Sequence, residues 1–183
     1  MITSTRTGPC INSATTPFEV TSTGSIGSAT EGVRNDSGGS ITTFTNAGSI
    51  AATGYGVKNT SGATISVLTN TGTITGSTGI YNAGTITTIN NQQGATSSAL
   101  AYTGLLPVNY NIIVASSTDY GQLSITSATG LMAFGVSSLS TTSSSIVGQT
   151  LTGVLQGFGS NLSTYISSGL TSSNGYTLSL IHI

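Results

Sequence analysis

The sequence predicts an all-β protein whose main part is a parallel β-helix, a solenoid in which short strands stack coil on coil. Three observations support this fold class. A segment of 24 residues repeats without a gap, apolar residues recur at fixed positions in each copy, and glycines and asparagines recur at the same corners. Short β-prone segments cannot bury an apolar face alone, whereas stacked copies can, because each strand pairs with its equivalent in the next coil.

The composition argues against several other classes of protein. Only 4% of the 183 residues are charged, the net charge is −1 and 36% are hydrophobic, whereas disordered chains combine low hydrophobicity with high net charge. Three basic residues cannot supply the clustered Lys and Arg that bind nucleic acid. No apolar run reaches the roughly 18 to 20 residues of a membrane-spanning helix. We therefore expect no nucleic-acid partner and no insertion of this chain into a membrane.

The repeat region occupies residues 23–94. Its first two copies read TGSIGSATEGVRNDSGGSITTFTN at 23–46 and AGSIAATGYGVKNTSGATISVLTN at 47–70, and a shortened copy, TGTITGSTGIYNAGTITTINN, follows at 71–91. Each copy offers three short β-prone segments, and the copies lack the i, i+3, i+4 apolar spacing of a helix. The aligned apolar positions predict four buried columns: Ile26, Ile50 and Ile74; Val33, Val57 and Ile80; Ile41, Ile65 and Ile86; and Phe44, Leu68 and Ile89.

Glycine and asparagine define the predicted corners. Glycine is expected where the backbone needs a positive φ or a close approach, and asparagine tolerates the left-handed conformation. Identical amides stacked coil on coil can hydrogen-bond in a ladder, so we interpret the asparagines as a structural ladder rather than a polar binding strip. The recurring residues are Gly24, Gly48 and Gly72; Gly32, Gly56 and Gly79; Asn35, Asn59 and Asn82; and Asn46, Asn70 and either Asn90 or Asn91.

The segment before the repeats, residues 1–22, is predicted to be irregular. It contains a degraded half-repeat at 17–22, in which Val20 lies 24 residues before Phe44. Residues 1–16 show no clear pattern, and chain ends of this kind often fray.

The segment after the repeats, residues 95–183, is predicted to cap the open strand edges of the solenoid. Strands are expected at 108–114, 122–126 and 131–136, and residues 127–130 are expected to join the last two as a β-hairpin. From Ser143 the apolar residues take a helical spacing that predicts a short helix, and a final strand is expected at 176–181. The helical positions are Val147, Leu151, Val154, Leu155, Phe158 and Leu162.

Catalytic chemistry has few residues to draw on. The single histidine, His182, is second from the end, so no base is available to activate a hydroxyl nucleophile. Glu31 and Asp36 lie near one corner and could form a weak cation site, but we interpret them as solvated surface, and likewise the aligned Arg34 and Lys58. We expect no enzyme activity, no metal site and no cofactor, and the lone Cys10 allows no internal disulfide.

Five tyrosines could form part of a binding surface. Tyr55, Tyr81, Tyr102, Tyr110 and Tyr120 could contact a sugar or a host receptor, although tyrosine more often packs at the edge or cap of a solenoid.

Several phrases resemble the passenger repeats of bacterial autotransporters, namely NAGSI at 46–50, NTGTI at 70–74 and NAGTI at 82–86. The stretch LPVNYNIIV at 106–114, followed by YGQL at 120–123, is similar to the segment that ends such a passenger. The resemblance implies a right-handed β-helix, the usual hand of parallel crossovers, with residues 95–183 acting as an autochaperone-like cap. It also implies export through the outer membrane and an extracellular or cell-surface location.

The same resemblance implies an outer-membrane translocator barrel as partner. We expect that barrel to lie outside this chain, since no strands of the membrane type follow the repeats, and no apolar signal segment precedes them. The chain is therefore expected to be either a fragment of a longer passenger or a truncated reading frame.

Three functional hypotheses remain open at this point. The first is a non-catalytic structural and adhesive segment, whose weak contacts with a host surface or with itself add through multivalency. The second is a non-catalytic part of a polysaccharide-acting β-helix enzyme whose active residues lie elsewhere. The third is a Thr-rich ice-binding solenoid, which the imperfect alignment of 42–43, 66–67 and 87–88 disfavours.

Overall fold

Alternation of inward apolar and outward polar residues builds each repeat into one coil of three short strands. A computed structural model describes residues 1–141, 149–159 and 164–166, and the predicted fold class is confirmed: the chain is an all-β parallel β-solenoid of about six turns. The strands are β1 (Thr5–Thr7), β2 (Cys10–Asn12), β3 (Thr15–Val20), β4 (Ser25–Ser28), β5 (Glu31–Asn35), β6 (Ser40–Asn46), β7 (Ser49–Ala52), β8 (Tyr55–Asn59), β9 (Thr64–Asn70), β10 (Thr73–Thr75), β11 (Thr78–Asn82), β12 (Thr85–Asn91), β13 (Leu100–Leu105), β14 (Asn109–Ile112), β15 (Leu123–Thr129), β16 (Ala133–Val136) and β17 (Leu155–Gln156).

The strands form three parallel sheets, and each of the first four coils supplies one strand to each sheet. A four-stranded sheet has the order β1-β4-β7-β10, a six-stranded sheet the order β16-β14-β12-β9-β6-β3, and a seven-stranded sheet the order β17-β15-β13-β11-β8-β5-β2. The seven-stranded and six-stranded sheets continue past residue 94, since β13 pairs with β11 and β14 with β12, whereas the four-stranded sheet ends at β10. The right hand implied by the resemblance stays a prediction.

The core lies along the axis of the solenoid and consists of columns of stacked side chains. Ile26 pairs with Ile50 and Ile50 with Ile74, and the other three aligned sets pair in the same way. All twelve of these side chains are at most 1% exposed. Full burial of an aliphatic side chain contributes about 1.5 to 3 kcal/mol, so these columns supply much of the favourable free energy of folding.

Close approach of successive coils explains the recurring corner glycines. A Cβ atom at Gly48 would lie 2.1 Å from the carbonyl oxygen of Gly24, and one at Gly72 would lie 2.0 Å from that of Gly48. Neither glycine has a positive φ. Of the two reasons for glycine at this corner, the structure therefore shows the close approach.

The hairpin expected at 122–136 is wrong. β15 belongs to the seven-stranded sheet and pairs with β13, while β16 belongs to the six-stranded sheet and pairs with β14. Both pairings are parallel, and Gly130, with φ of 96°, lies in the connection where the chain passes between sheets. A parallel partner was available to each strand in the preceding coil, and this outweighed the local turn signal.

The helix expected from Ser143 is also wrong over the described residues 149–159, which contain the short strand β17 instead. Gly153, Gly157 and Gly159 have φ values of 62°, 80° and 62°, a left-handed conformation that interrupts a right-handed helix. Phe158 nevertheless reaches the core. Residues 143–148 and 162 of the predicted helix, the strand predicted at 176–181 and His182 lie outside the described residues.

The N-terminal segment is more regular than expected. Its strands β1, β2 and β3 pair with β4, β5 and β6 and so form one more coil. Phe18, rather than Val20, pairs with Phe44, and Val20 pairs with Asn46, because the register shifts between Thr16 and Phe18. The predicted equivalence of Val20 and Phe44 is therefore wrong.

Candidate functional site: a charged and aromatic patch on the seven-stranded sheet

The first asparagine set forms a buried ladder at one corner. The Asn35 amide donates from Nδ2 to Oδ1 of Asn59 at 2.9 Å, and Asn59 donates to Oδ1 of Asn82 at 2.8 Å. Asn12 adds a rung below by donating to Asn35 at 2.7 Å. Asn35, Asn59 and Asn82 are at most 1% exposed, so they are inaccessible to a ligand and stabilise the stack.

A second buried ladder runs along another corner. Asn46 donates to Oδ1 of Asn70 at 2.8 Å, and Asn70 donates to Oδ1 of Asn91 at 3.0 Å, so Asn91 rather than Asn90 is the third rung. The Oδ1 atom of Asn46 is buried without a hydrogen-bond partner. The equivalent position in the preceding coil holds Val20, which has no side-chain amide to donate.

Gln93 ends both this ladder and the four-stranded sheet, a role that the sequence reasoning missed. Its side-chain Oε1 accepts the backbone N–H of Ile74 at 2.7 Å, and its Nε2 donates to the Ile74 carbonyl at 3.3 Å. Asn70 also donates to Oε1 at 3.1 Å. The amide thus replaces the peptide group of a missing next strand, a role with no equivalent in the repeats that could have revealed it.

A shallow polar cleft of about 220 Å³ adjoins Gln93. It is lined by residues of 71–73, 92–93 and 96–97 and by Asp119. The Asp119 carboxylate accepts hydrogen bonds from Gln92 Nε2 at 2.9 Å and from Thr96 Oγ1 at 3.4 Å. Across the described ranges, no three His, Cys, Asp or Glu residues come together in a way that could hold a metal ion.

The charged residues of the repeats lie on the outer face of the seven-stranded sheet. Arg34 holds Asp36 by two hydrogen bonds, Nε to Oδ1 at 2.6 Å and Nη2 to Oδ2 at 3.1 Å. Lys58 Nζ donates to Glu31 Oε1 at 2.9 Å. Each carboxylate therefore faces a basic group instead of sharing a cation with the other. The hydrogen bond from Arg34 holds the pKa of Asp36 below its usual value, and the same contact raises the pKa of Arg34.

The five tyrosines named above as possible binding residues divide into two groups. Tyr102, Tyr110 and Tyr120 are buried in the core. Tyr55 and Tyr81 face outward, and their ring centroids lie 4.9 Å apart with an interplanar angle of 33°. Lys58 Nζ lies 5.4 Å from the centroid of Tyr55, within reach of a cation–π contact.

These side chains form one surface, which we call the patch. Strand alternation places Arg34, Lys58 and Tyr81 outward because Val33, Val57 and Ile80 point into the core. Parallel register then sets them side by side, since Arg34 pairs with Lys58 and Lys58 with Tyr81. The patch consists of Glu31, Arg34, Asp36, Tyr55, Lys58 and Tyr81.

Comparison of the chain with known protein families, with curated proteins and with solved structures finds no match. Within the described residues, no helix combines the length and the apolar character needed to cross a membrane. The fold defines the class of the chain as a parallel β-solenoid.

Proposed function

We propose that this chain is a structural and adhesive segment of a passenger protein displayed on, or released from, the bacterial cell surface, and that it is not an enzyme. The observation that carries the proposal is the in-register repetition of one coil, which turns a mostly uncharged sequence into a rod with repeated outer faces. Such a rod projects binding groups at a regular rise of about 4.8 Å per coil.

The outer face of the six-stranded sheet illustrates this repetition. In one row Thr45 pairs with Thr69 and Thr69 with Asn90. In the neighbouring row a valine lies between two threonines, since Thr43 pairs with Val67 and Val67 with Thr88. Single contacts to uncharged hydroxyl and amide groups are weak. Rows of equivalent groups can hold a partner by many simultaneous contacts, whose combined affinity greatly exceeds that of one contact.

The resemblance to autotransporter passengers supports export and a translocator barrel as the partner of this chain. During such export, the coils after residue 94 act as the folding nucleus of the solenoid. Tyr102, Tyr110 and Phe134 are buried there and large aromatic side chains bury more area than the aliphatic residues of the repeats.

Surface labelling of the bacterium that makes the chain tests the location. Antibodies raised against the purified chain are expected to label intact cells or to detect the chain in the culture fluid, and externally added protease is expected to remove the cell-bound signal. Labelling that requires permeabilised cells would overturn the proposal.

Bead adhesion tests the adhesive role. Beads that carry many copies of the purified chain are expected to adhere to host cells or to bacteria, whereas the free chain binds weakly, because avidity exceeds single-site affinity by about 100-fold or more. Release of sugars from a panel of polysaccharides by the purified chain would instead support catalysis and contradict the proposal.

A further inference from the structure

We propose that the patch is a binding site for neutral glycan chains, an inference that rests on the adhesive role and names its ligand class. The patch gathers Tyr55 and Tyr81 with two ion pairs on the strands β5, β8 and β11 or directly after β5. Aromatic rings beside hydrogen-bonding groups suit a ligand that has both apolar C–H faces and hydroxyl groups, as sugars do.

The tyrosine hydroxyls distinguish the patch from the core. The core hydroxyls are all engaged: Tyr102 donates to the Leu105 carbonyl, Tyr120 donates to the Thr152 carbonyl at 3.0 Å, and Tyr110 accepts from Asn91 at 3.1 Å. In the part of the chain that the structure describes, the hydroxyls of Tyr55 and Tyr81 have no protein partner among the hydrogen bonds. They are therefore free to exchange water for the hydroxyl groups of a ligand.

The tyrosine rings are already held in position. The two rings contact each other at 4.9 Å, and Lys58 is fixed over Tyr55 by its ion pair with Glu31. Side chains ordered before binding lose little further conformational entropy when a ligand docks. Less of the interaction energy of each sugar contact is consequently offset by the loss of side-chain entropy.

The charges of the patch select a neutral ligand. Arg34 is paired with Asp36 and Lys58 with Glu31, so the two cations and two anions sum to zero. A polyanion such as a sulfated glycan would have to displace or oppose both carboxylates, since like charges brought together are unfavourable. A neutral glycan can accept from the paired cations and donate to the paired carboxylates without breaking either pair.

The shape of the patch favours a chain rather than a small compact ligand. The patch lies on the outer face of a sheet, and the one cleft described above is lined by other residues. Three strands at a spacing of about 4.8 Å place the patch residues across a width similar to that of two or three sugar units. An extended glycan that crosses the strands therefore meets both tyrosines and both ion pairs.

The test uses the double variant Tyr55→Thr, Tyr81→Thr. Threonine is chosen because Thr78 pairs with Tyr55 and Thr103 occupies the position beside Tyr81, so it suits the outer face of these strands. The matched control is Ser25→Ala, Ser49→Ala on the outer face of the four-stranded sheet, away from the patch and from the threonine rows of the six-stranded sheet. Circular dichroism and thermal unfolding establish that both variants fold.

Beads carrying each protein are applied to an array of neutral, sialylated and sulfated glycans. The native chain and the control variant are expected to bind a subset of neutral glycans, and the tyrosine variant is expected to lose at least about ten-fold in retention, as for loss of aromatic anchors in other interfaces. Binding to neutral glycans is expected to persist in high salt, because neither the patch nor the glycan carries a net charge.

Other outcomes would overturn the inference. Retention confined to sulfated or sialylated glycans and lost in high salt would assign the patch to anions through Arg34 and Lys58. If the tyrosine variant and the control variant were retained equally on the array, the patch would not be the binding site. The inference would also be overturned if the native chain bound no neutral glycan on the array. None of these array results changes the outcome of the surface-labelling experiment. The glycan inference can therefore be wrong while the proposed surface location is still supported.

Discussion

The repeat coils at 23–91 and the coils that follow at 98–136 share the six-stranded and seven-stranded sheets but fill their interiors differently. In the repeats, like side chains stack on like, as Ile26 does on Ile50. In the later coils unlike residues stack, so that Ile80 pairs with Tyr102, and Ile89 with Tyr110. The Tyr110 ring in turn lies 6.2 Å from that of Phe134, at an angle of 16°.

A period in the sequence therefore indicates that similar side chains stack, and strands can pair without one. Parallel backbone hydrogen bonds need no particular side chain, so they continue where the repeat ends. The Asn91 amide links the two regions, because it donates to the Gln93 carbonyl at 2.8 Å and to the Tyr110 hydroxyl at 3.1 Å. The ladder of the repeats is thus satisfied at its end by groups of the later coils.

The largest effect is expected where the repeat coils approach most closely. Gly48→Ala places a Cβ atom 2.1 Å from the Gly24 carbonyl oxygen and 2.4 Å from that of Thr21. Since both atoms belong to the backbone, we expect a loss of about 4 kcal/mol or more in the free energy of unfolding. Gly27→Ala is the matched control, because a Cβ there meets nothing within 4 Å. Equal urea midpoints for the two variants would contradict the close packing of the corners.

Loss of one ladder rung should be nearly as damaging. Asn59→Ala removes the acceptor of Asn35 and the donor to Asn82 Oδ1 and to the Thr85 carbonyl. Asn35 Nδ2 and Asn82 Oδ1 keep other partners, the Thr64 carbonyl and the Gly84 N–H. Each of the three lost hydrogen bonds therefore costs about 1 kcal/mol, and we expect a loss of about 3 kcal/mol in the free energy of unfolding by urea. The outward Thr69→Ala on the neighbouring strand serves as control and should change stability by less than about 0.5 kcal/mol. If Asn59→Ala lowered the free energy of unfolding as little as this control does, the ladder would not be needed for stability.

The later coils should be the more sensitive region at alkaline pH. Burial raises the pKa of Tyr102 and of Tyr110 well above the ordinary 10.0. A raised folded pKa means that the stabilisation is complete below pH 10 and is lost as pH rises from there toward the folded pKa, by up to about 1.4 kcal/mol per pH unit for each tyrosine.

Urea unfolding at pH 7 and at about pH 11.5 measures this alkaline loss. The variant Tyr102→Phe, Tyr110→Phe is expected to lose less stability between the two pH values than the native chain, although it is less stable at pH 7. The same alkaline loss in both proteins would show that the buried tyrosines do not cause it.

The smallest expected effect concerns the N-terminal end of the second ladder. Val20→Asn would supply the missing donor to the buried Oδ1 of Asn46, whereas Val20→Leu gives a side chain with the same branching at Cγ and no donor. We expect the free energy of unfolding of the asparagine variant to be about 1 kcal/mol higher than that of the leucine variant. The opposite order would contradict the register that places Val20 beside Asn46.

The sequence alone predicts the coils at 23–91 because their columns repeat chemically. It does not predict the first coil, where Cys10 pairs with Val33 and Thr15 with Ser40, since these residues share no pattern with their partners. The two errors after residue 94 arose from local signals, a turn at 127–130 and an apolar spacing around Leu155. Both were outweighed by parallel pairing with strands distant in sequence, which no local pattern reveals.

The patch could be predicted only in part. The alignment of Arg34 with Lys58 follows from the repeat, and the register bears it out. The contact between Tyr55 and Tyr81 does not follow from the repeat, because the two are diagonal neighbours: Tyr55 pairs with Thr78, and Tyr81 with Lys58. Likewise, the burial of Tyr102 and Tyr110 follows from their position in coils that carry no visible period.

The central claim is that equivalent residues of successive repeats stack in register along one axis. Methyl-labelled isoleucine in an otherwise deuterated sample tests it directly by nuclear Overhauser effects. The register predicts contacts from Ile26 to Ile50 and from Ile50 to Ile74, with separate contacts between Ile41 and Ile65. A folded chain in which Ile50 shows contacts to neither Ile26 nor Ile74 would contradict the solenoid.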